Sequence, residues 1–396
     1  MMSLPQGFRL AAAAADFRGK GKTRDDLALV VSDRPAAAAG VFTTNLFRAA
    51  PVLVAQEHLA RAPEQIRGIL INSGQANACT GEEGMAQCRE SLTMVAEATG
   101  LNAETLLPAS TGVIGALMDM EKWRAAVPDL AASLGHTDLE RFARAIMTTD
   151  AFPKLAEAEV ALDGGTVRLA GVAKGAGMIC PNMATMISLV LCDAEVDAAV
   201  WRDMFRRAAD ATFNRVSVDG DTSTNDSLFG LANGASGIRV KEEELPVLEE
   251  ALTDILGDLA YMLVKDGEGA TKVLHINVTG AASDADAEKV ARTVGHSQLV
   301  KTAMFGKDPN WGRIVAAAGR SGAVFNPNSL SVQLCGVTLF HDGRPTTEDF
   351  DTLLREPLDG TDVTLDICLG DGPGTARLLA SDLSHAYVSL NADYRS

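Results

Sequence analysis

A lone hydroxyl stands at Thr185, between the small-residue loop Lys174–Gly175–Ala176–Gly177 and an apolar run from Met186 to Cys192. Read alone, it is a β-branched residue leading into a strand. Read as chemistry, it is a nucleophile that lacks a base, since a threonine hydroxyl attacks only when a neighbouring group takes its proton. Two other stretches carry groups that could work with it. In "PASTGVIG" (108–115), backbone N–H groups and the Thr111 hydroxyl could face an oxyanion, although such a stretch alone reads as a tight turn. In "KDGEGATK" (265–272), Glu268 lies between glycines, where a carboxylate can approach a ligand closely; alone, it reads as a solvated turn.

Other motifs fail on spacing. The Asp-rich loop "SVDGDTSTNDS" (217–227) has Thr224 where an EF-hand started at Asp219 needs glycine, and Gly230 where it needs glutamate. It reads as a capped structural loop. "GDGPG" (370–374) reads as a strand-to-helix turn able to face a phosphate, but it fits neither dinucleotide nor P-loop spacing. No H-E-x-x-H or G-x-S-x-G occurs. The six cysteines form no C-x-x-C pair and read as reduced, mostly buried thiols.

The elements that must position these groups are mixed. Residues 27–31, 52–54 and 68–72 read as short buried strands, with a helix over 84–99 and another over 138–147. After Thr185 come a strand, a helix near 197–212 and an amphipathic helix over 242–264. A further helix (286–294), strands near 330–340 and 361–369, and an irregular tail complete the chain. Without regular β-α-β alternation, the expected fold is α+β, with layered mixed sheets and helices. The small polar stretch 279–288 is the best boundary, giving a catalytic domain over 1–280 and a smaller C-terminal α/β domain over 281–396.

The bulk numbers narrow the class. The chain has 396 residues, 47 % apolar and 22 % charged, within the range of soluble globular proteins and enough for two or three domains. With 35 Lys and Arg against 52 Asp and Glu, the net charge is −17, which repels phosphate backbones and anionic membranes. No apolar run approaches the ~20 residues of a membrane helix. Ala11–Ala15 is too short for a signal peptide and is followed at once by charges, so a cytoplasmic location is expected.

Taken together, "VFTTNLFRAAPV" (41–52), "NSGQANACTG" (72–81), "STGVIG" (110–115), "MTTD" (147–150) and "KGAGMICPNMATM" (174–186) closely resemble the ornithine acetyltransferase family, also called glutamate N-acetyltransferase. So do "FNRVSVDGDTSTNDS" (213–227), "DGEGATK" (266–272), "LVKTAMFGKDPNWGRI" (299–314) and "NADYRS" (391–396). The resemblance runs in order along nearly the whole chain. It departs at "LLASDLSHAYV" (378–388), which lacks a Trp-Gly-Cys stretch, and at the loosened start "AAAAADFRGKGK".

The resemblance implies an N-terminal-nucleophile fold and a chain that cuts itself between Ala184 and Thr185. The cut gives Thr185 a free α-amine of reference pKa about 7.7–8.0, able to serve its own hydroxyl as base. By the same resemblance Thr111 and Gly112 form the oxyanion hole. Thr148, Lys174, Thr185, Glu268, Asn391 and Ser396 contact substrate. The implied reaction moves acetyl from N-acetylornithine to glutamate, in arginine biosynthesis, through an acetyl-Thr185 ester and with no cofactor or metal. Acetyl-CoA stays open as a second donor. Fragments 1–184 and 185–396 should remain together as a heterotetramer of two α and two β chains, without nucleic acid or membrane partners. The alternatives are an N-terminal-nucleophile aminopeptidase or amidase of similar architecture, and an unprocessed binding protein.

Overall fold

A hairpin delivers Lys174 to the middle of the molecule. In the computed structural model, which describes residues 3–21, 24–180 and 186–393, two strands face each other across the short link Asp163–Gly164, with Lys154 opposite Ala173. An Asp-Gly link between apolar-rich runs is a strong hairpin signal.

In chain order the strands begin with β1 (Phe8–Ala13), β2 (Leu27–Phe42), β3 (Ile66–Gln75), β4 (Leu106–Val113), β5 (Lys154–Leu162), β6 (Gly165–Lys174), β7 (Ile187–Cys192) and β8 (Val216–Ser217). They continue with β9 (Ser227–Ala232), β10 (Val273–Ala281), β11 (Ser331–Leu334), β12 (Val337–His341), β13 (Arg344–Pro345), β14 (Asp362–Cys368) and β15 (Gly374–Ser381). Among the described residues, one mixed sheet runs β4-β3-β2-β9-β7-β6-β5 with β1 added on β2, and a second runs β13-β12-β11-β14-β10-β15-β8. The α+β expectation holds.

The first sheet is covered on both sides, and period-2 alternation assigns its residues to the two faces. On one side Val167, Leu169 and Val190 pack with Trp201 and Phe205 of helix Ala198–Ala211 and with Leu252 and Leu259 of helix Leu245–Lys265. On the other, Val172, Leu189 and Phe229 pack with Phe142 and Ile146 of helix Leu139–Ile146. The second sheet has its own core with helices Asp284–Gly295, Gln298–Phe305 and Trp311–Gly319.

Several expectations are corrected. Residues 52–54 are not a strand but part of helix Ala50–Arg61, which opens with Pro51 and buries Val52, Val54, Ala55 and His58. A short apolar run fits either element, and here tertiary packing decides. "PASTGVIG" is largely strand: Ser73, Gly74 and Gln75 of β3 stand parallel to Thr111, Gly112 and Val113 of β4. "GDGPG" leads into strand β15, not a helix. Side chains at Gly372 and Gly374 would strike the backbone of Ala281 and Ser283, so these glycines serve close packing. The tail is not irregular but forms helix His385–Asp393. Of the polar stretch 279–288, Thr279–Ala281 end β10 and Asp284 opens helix Asp284–Gly295, while β8 already joins the second sheet before β9 returns to the first.

Candidate functional site

The register of three strands fixes the centre of the site. Lys174, the last residue of β6, stands opposite Ile187, the first of β7, and Ile187 stands beside Ser227, the first of β9. From β6 the fully buried Lys174 side chain reaches the end of β4, donating from Nζ to Thr111 Oγ1 at 3.2 Å and to Thr148 Oγ1 at 2.8 Å. An ammonium can only donate, so both hydroxyls must accept here, and each keeps its own O–H to offer elsewhere. Burial lowers the Lys174 pKa, with Lys154 and Arg18 adding repulsion; the Asp150 and Asp226 carboxylates act against this.

Beneath Lys174 lies a buried ionic cluster. Lys154 Nζ donates to Asp150 Oδ1 at 2.7 Å and to Asp266 Oδ2 at 2.5 Å. Asp150 also accepts the Gly175 amide at 2.6 Å and the Thr148 amide at 2.9 Å, tying the Lys174 loop to the Thr148 turn. Burial alone would raise the Asp150 pKa, but the Lys174 and Lys154 charges hold the carboxyl below its ordinary range. Removing one partner from such a cluster is expensive. Lys154→Met, which leaves two carboxylates buried together, should therefore lose about 3–5 kcal/mol of stability. Thermal or denaturant melting beside the unaltered protein checks this, and an unchanged midpoint contradicts it.

Thr111, Gly112, Thr148, Lys174, Glu268 and Asn391 all line one cleft of about 850 Å³. Gly112 has φ +140°, and a Cβ there would lie 2.3 Å from the Gly74 carbonyl carbon, so β4 approaches β3 this closely only through glycine. Glu268 is fixed by its amide, which donates to the Ala176 carbonyl at 2.8 Å, and by Asn391 Nδ2, which donates to Oε2 at 2.9 Å. The carboxylate presses so closely on the glycine loop that a side chain at Gly177 would lie 2.7 Å from it. Asn391 comes from the terminal helix, which returns the tail to the cleft. Thr185, Ala184 and Ser396 lie outside the described residues. The chain resumes at Met186, whose amide donates to Asp226 Oδ1 at 3.0 Å and whose carbonyl accepts the Ser227 amide at 3.1 Å.

The cleft has further walls that sequence reasoning passed over. Arg18, from the segment read only as a loosened start, lines it together with Lys20 and Gln75. Asp219 and Asp221, from the loop read as purely structural, line it as well, beside Tyr387. Asp219 does cap its loop, accepting the Met178 amide at 2.6 Å and the Asp221 amide at 3.2 Å. Burial raises the Tyr387 pKa to about 12, helped by the negative charges of Asp219, Asp221 and Glu268. The cleft is thus bipolar, with Lys174 and Arg18 among its cations and Glu268, Asp219 and Asp221 among its anions. That suits a ligand bearing both a carboxylate and an amine.

Cys180, five residues before Thr185, carries a thiol beside an imidazole. Its Sγ lies 3.2 Å from His296 Nε2. Burial raises the thiol pKa, while burial and nearby cations lower that of His296 to about 4. Both groups are neutral near pH 7, and a neutral thiol is a poor nucleophile.

The chain matches the ArgJ family model over residues 9–396. It is 65 % identical over 396 residues to the arginine biosynthesis bifunctional protein ArgJ of Nitratidesulfovibrio vulgaris, with all of both chains covered. It is 47 % identical over 403 residues to the protein of the same name from Geobacter sulfurreducens, covering 99 % of each. Among solved structures it is similar to the ArgJ protein of Bacillus halodurans, at 35 % identity and a TM-score of 0.49, over 51 % of this chain and 96 % of that one. An ornithine acetyltransferase of Mycobacterium tuberculosis, solved with ornithine, is 37 % identical with a TM-score of 0.41, over 45 % of this chain and 92 % of that one. The chain belongs to the ArgJ family of arginine-biosynthesis acetyltransferases.

Proposed function

We propose that the chain cuts itself between Ala184 and Thr185 and then moves acetyl from N-acetylornithine to glutamate through an ester on Thr185. The observation that carries this reading is the buried Lys174 side chain. It spans from the strand beside Met186 to Thr111 and Thr148 in a cleft with cationic and anionic walls.

In the proposed cycle, the Thr185 α-amine takes the Oγ proton and Oγ attacks the acetyl carbonyl of N-acetylornithine. The oxyanion receives the Thr111 O–H and the Gly112 N–H, donors that act on charge present only in the tetrahedral intermediate. As that intermediate collapses, the C–N bond breaks, the proton passes to the leaving amine, and ornithine departs from an acetyl-Thr185 ester. The glutamate α-amine then attacks the ester, and Thr185 Oγ recovers its proton. Glu268, supported by Asn391 and flanked by Asp219, suits a substrate ammonium, and Lys174 and Arg18 suit a carboxylate.

The two fragments have reason to stay together. The cut falls between β6 and β7, which pair antiparallel from Leu169 with Cys192 to Lys174 with Ile187. Residues of both fragments also share one core, with Phe142 and Val172 packed among Leu189 and Phe229. An α2β2 assembly and a cytoplasmic location belong to the same proposal. So does the two-part division into a catalytic domain over 1–280 and a C-terminal domain over 281–396. Among the described residues, no helix is long and apolar enough to cross a membrane.

The test is an assay of purified enzyme with N-acetylornithine, with and without glutamate, and separately with acetyl-CoA and glutamate. Ornithine release should accelerate with glutamate and match N-acetylglutamate formed. Release at the same rate without glutamate would support the amidase instead. Acetylation of glutamate by acetyl-CoA would establish the second donor activity, as the relatives' name "bifunctional" suggests for this chain.

A further inference from the structure

The stretch "LVKTAMFGKDPNWGRI" (299–314) has no task in the cycle proposed above, yet it carries a charge into the interior. Lys301, on helix Gln298–Phe305, is buried. Its Nζ donates to three oxygens: the Val218 carbonyl at 2.5 Å, the Ser381 carbonyl at 2.6 Å and Ser381 Oγ at 3.1 Å. All three are uncharged. A buried ammonium held by neutral partners is costly, so a fold that keeps one needs a reason. Burial lowers the Lys301 pKa to about 8, with Asp219 and Asp382 opposing, so near pH 7 it keeps three protons for three acceptors.

The two residues it joins stand where a strand pair ends. β15 and β8 run parallel, with Leu379 beside Val216 and Ala380 beside Ser217, and the next residues are Ser381 and Val218. Lys301 closes the pair beyond its ladder, together with the Ser381 hydroxyl, which donates to the Val218 carbonyl at 3.2 Å. From Val218 the chain passes directly to Asp219 on the cleft wall. From Ser381 it passes to Asp382, whose carboxylate accepts the Thr271 and Lys272 amides at 2.8 and 3.1 Å and so holds the loop of Glu268. The Lys301 carbonyl accepts the Leu383 amide at 3.3 Å, and Ser384 Oγ donates to the Gly269 carbonyl at 2.5 Å. The tail helix then carries Asn391 to the cleft. Among the described residues, none of helix Gln298–Phe305 lines the cleft itself.

We infer that Lys301 is a positioning residue for acetyl transfer, its ammonium holding Asp219 and the Asn391-supported Glu268 together as one wall for the side-chain ammonium of N-acetylornithine. This rests on the reading of that wall given above. Val218 and Ser381 each stand one residue from an element of the wall, so a single side chain sets the spacing of both halves. Without its donors the two carbonyls have nothing between them, and the halves are free to part.

The test compares steady-state constants of cut, folded variants. Lys301→Met fills the same space and relieves the buried charge, so it should fold and mature. Its KM for N-acetylornithine should rise at least about 10-fold with kcat changed far less, the size expected when hydrogen bonds from a charged group are lost. Ser381→Ala removes only the hydroxyl of the same tie and should raise that KM about 3-fold; it decides the matter if Lys301→Met does not fold. Asp219→Asn supplies the background for a double-mutant cycle. There, adding Lys301→Met should multiply KM by distinctly less than it does alone, a coupling that a general loss of stability would not produce. A normal KM in Ser381→Ala or in folded Lys301→Met overturns the inference, and so does an effect that multiplies in full in the Asp219→Asn background. If Asp219→Asn alone leaves KM unchanged, the reading of the wall itself fails and takes the inference with it.

Discussion

Thr185→Ala is expected to run as one uncut chain of 396 residues with no acetyl transfer above background. Both losses come from one atom. Without Oγ there is nothing to attack the Ala184 carbonyl and nothing to carry the acetyl group. Removing the nucleophile of a covalent catalyst costs on the order of 10⁶ in kcat, enough to abolish measurable turnover. Thr185→Ser keeps the oxygen without the methyl that restricts its rotamer, so it should cut and transfer, but more slowly. Intact mass reads the first effect and ornithine release the second. An Ala variant that remains uncut yet transfers acetyl at the normal rate would remove Thr185 from the chemistry.

Thr111→Val should lower kcat by about 10²–10³ while changing KM much less. Valine fills the same space in β4 and keeps the strand's β-branched preference, so the fold should survive. The lost atom is the hydroxyl that accepts from Lys174 at 3.2 Å and, in the proposed mechanism, donates to the oxyanion. Gly112 is the poorer probe of the same hole. A side chain there would collide with the Gly74 backbone, so lost activity would report a displaced strand rather than a lost donor. A cut, folded Thr111→Val enzyme with unchanged kcat and raised KM would make Thr111 a binding residue instead.

The legible parts of this chain were those in which local pattern and tertiary need agree. The helix read over 84–99 spans Gly81–Thr99 with Cys88, Leu92 and Val95 on its buried face, and the one read over 138–147 spans Leu139–Ile146. Elements whose state is set by partners were less legible. Val52 and Val54 read as strand, yet they lie in a helix because Pro51 opens it and one face is buried. Residues 27–31 are the start of β2, which continues to Phe42. Around Pro35 its pairing register shifts between Val31 and Ala36, and its second half pairs with β9, a partner nearly two hundred residues away. The Asp163–Gly164 link signals the hairpin bearing Lys174, but the pairing of that hairpin with β7 depends on sheet order.

For the site, the motifs named six residues that the structure brings to one cleft, in segments as distant as Thr111 and Asn391. Sequence alone could not show that a lysine would cross from β6 to two hydroxyls, because that contact depends on sheet order. Nor could it show the acidic and basic walls. Asp219 sits in a loop whose turn residues fit simple capping, and Arg18 follows an alanine run that carries no motif.

The most direct test of the central claim is the mass of the fragment beginning at Thr185 after the mature enzyme meets N-acetylornithine alone. An acyl carrier must be loaded by the first substrate before the second arrives, with ping-pong kinetics as the counterpart. The account predicts that this fragment gains one acetyl group, that ornithine appears in equal amount, and that glutamate then discharges the fragment to yield N-acetylglutamate. A fragment that stays unmodified, with double-reciprocal plots that intersect rather than run parallel, would instead mean direct transfer within a ternary complex and would contradict the role of Thr185 as carrier.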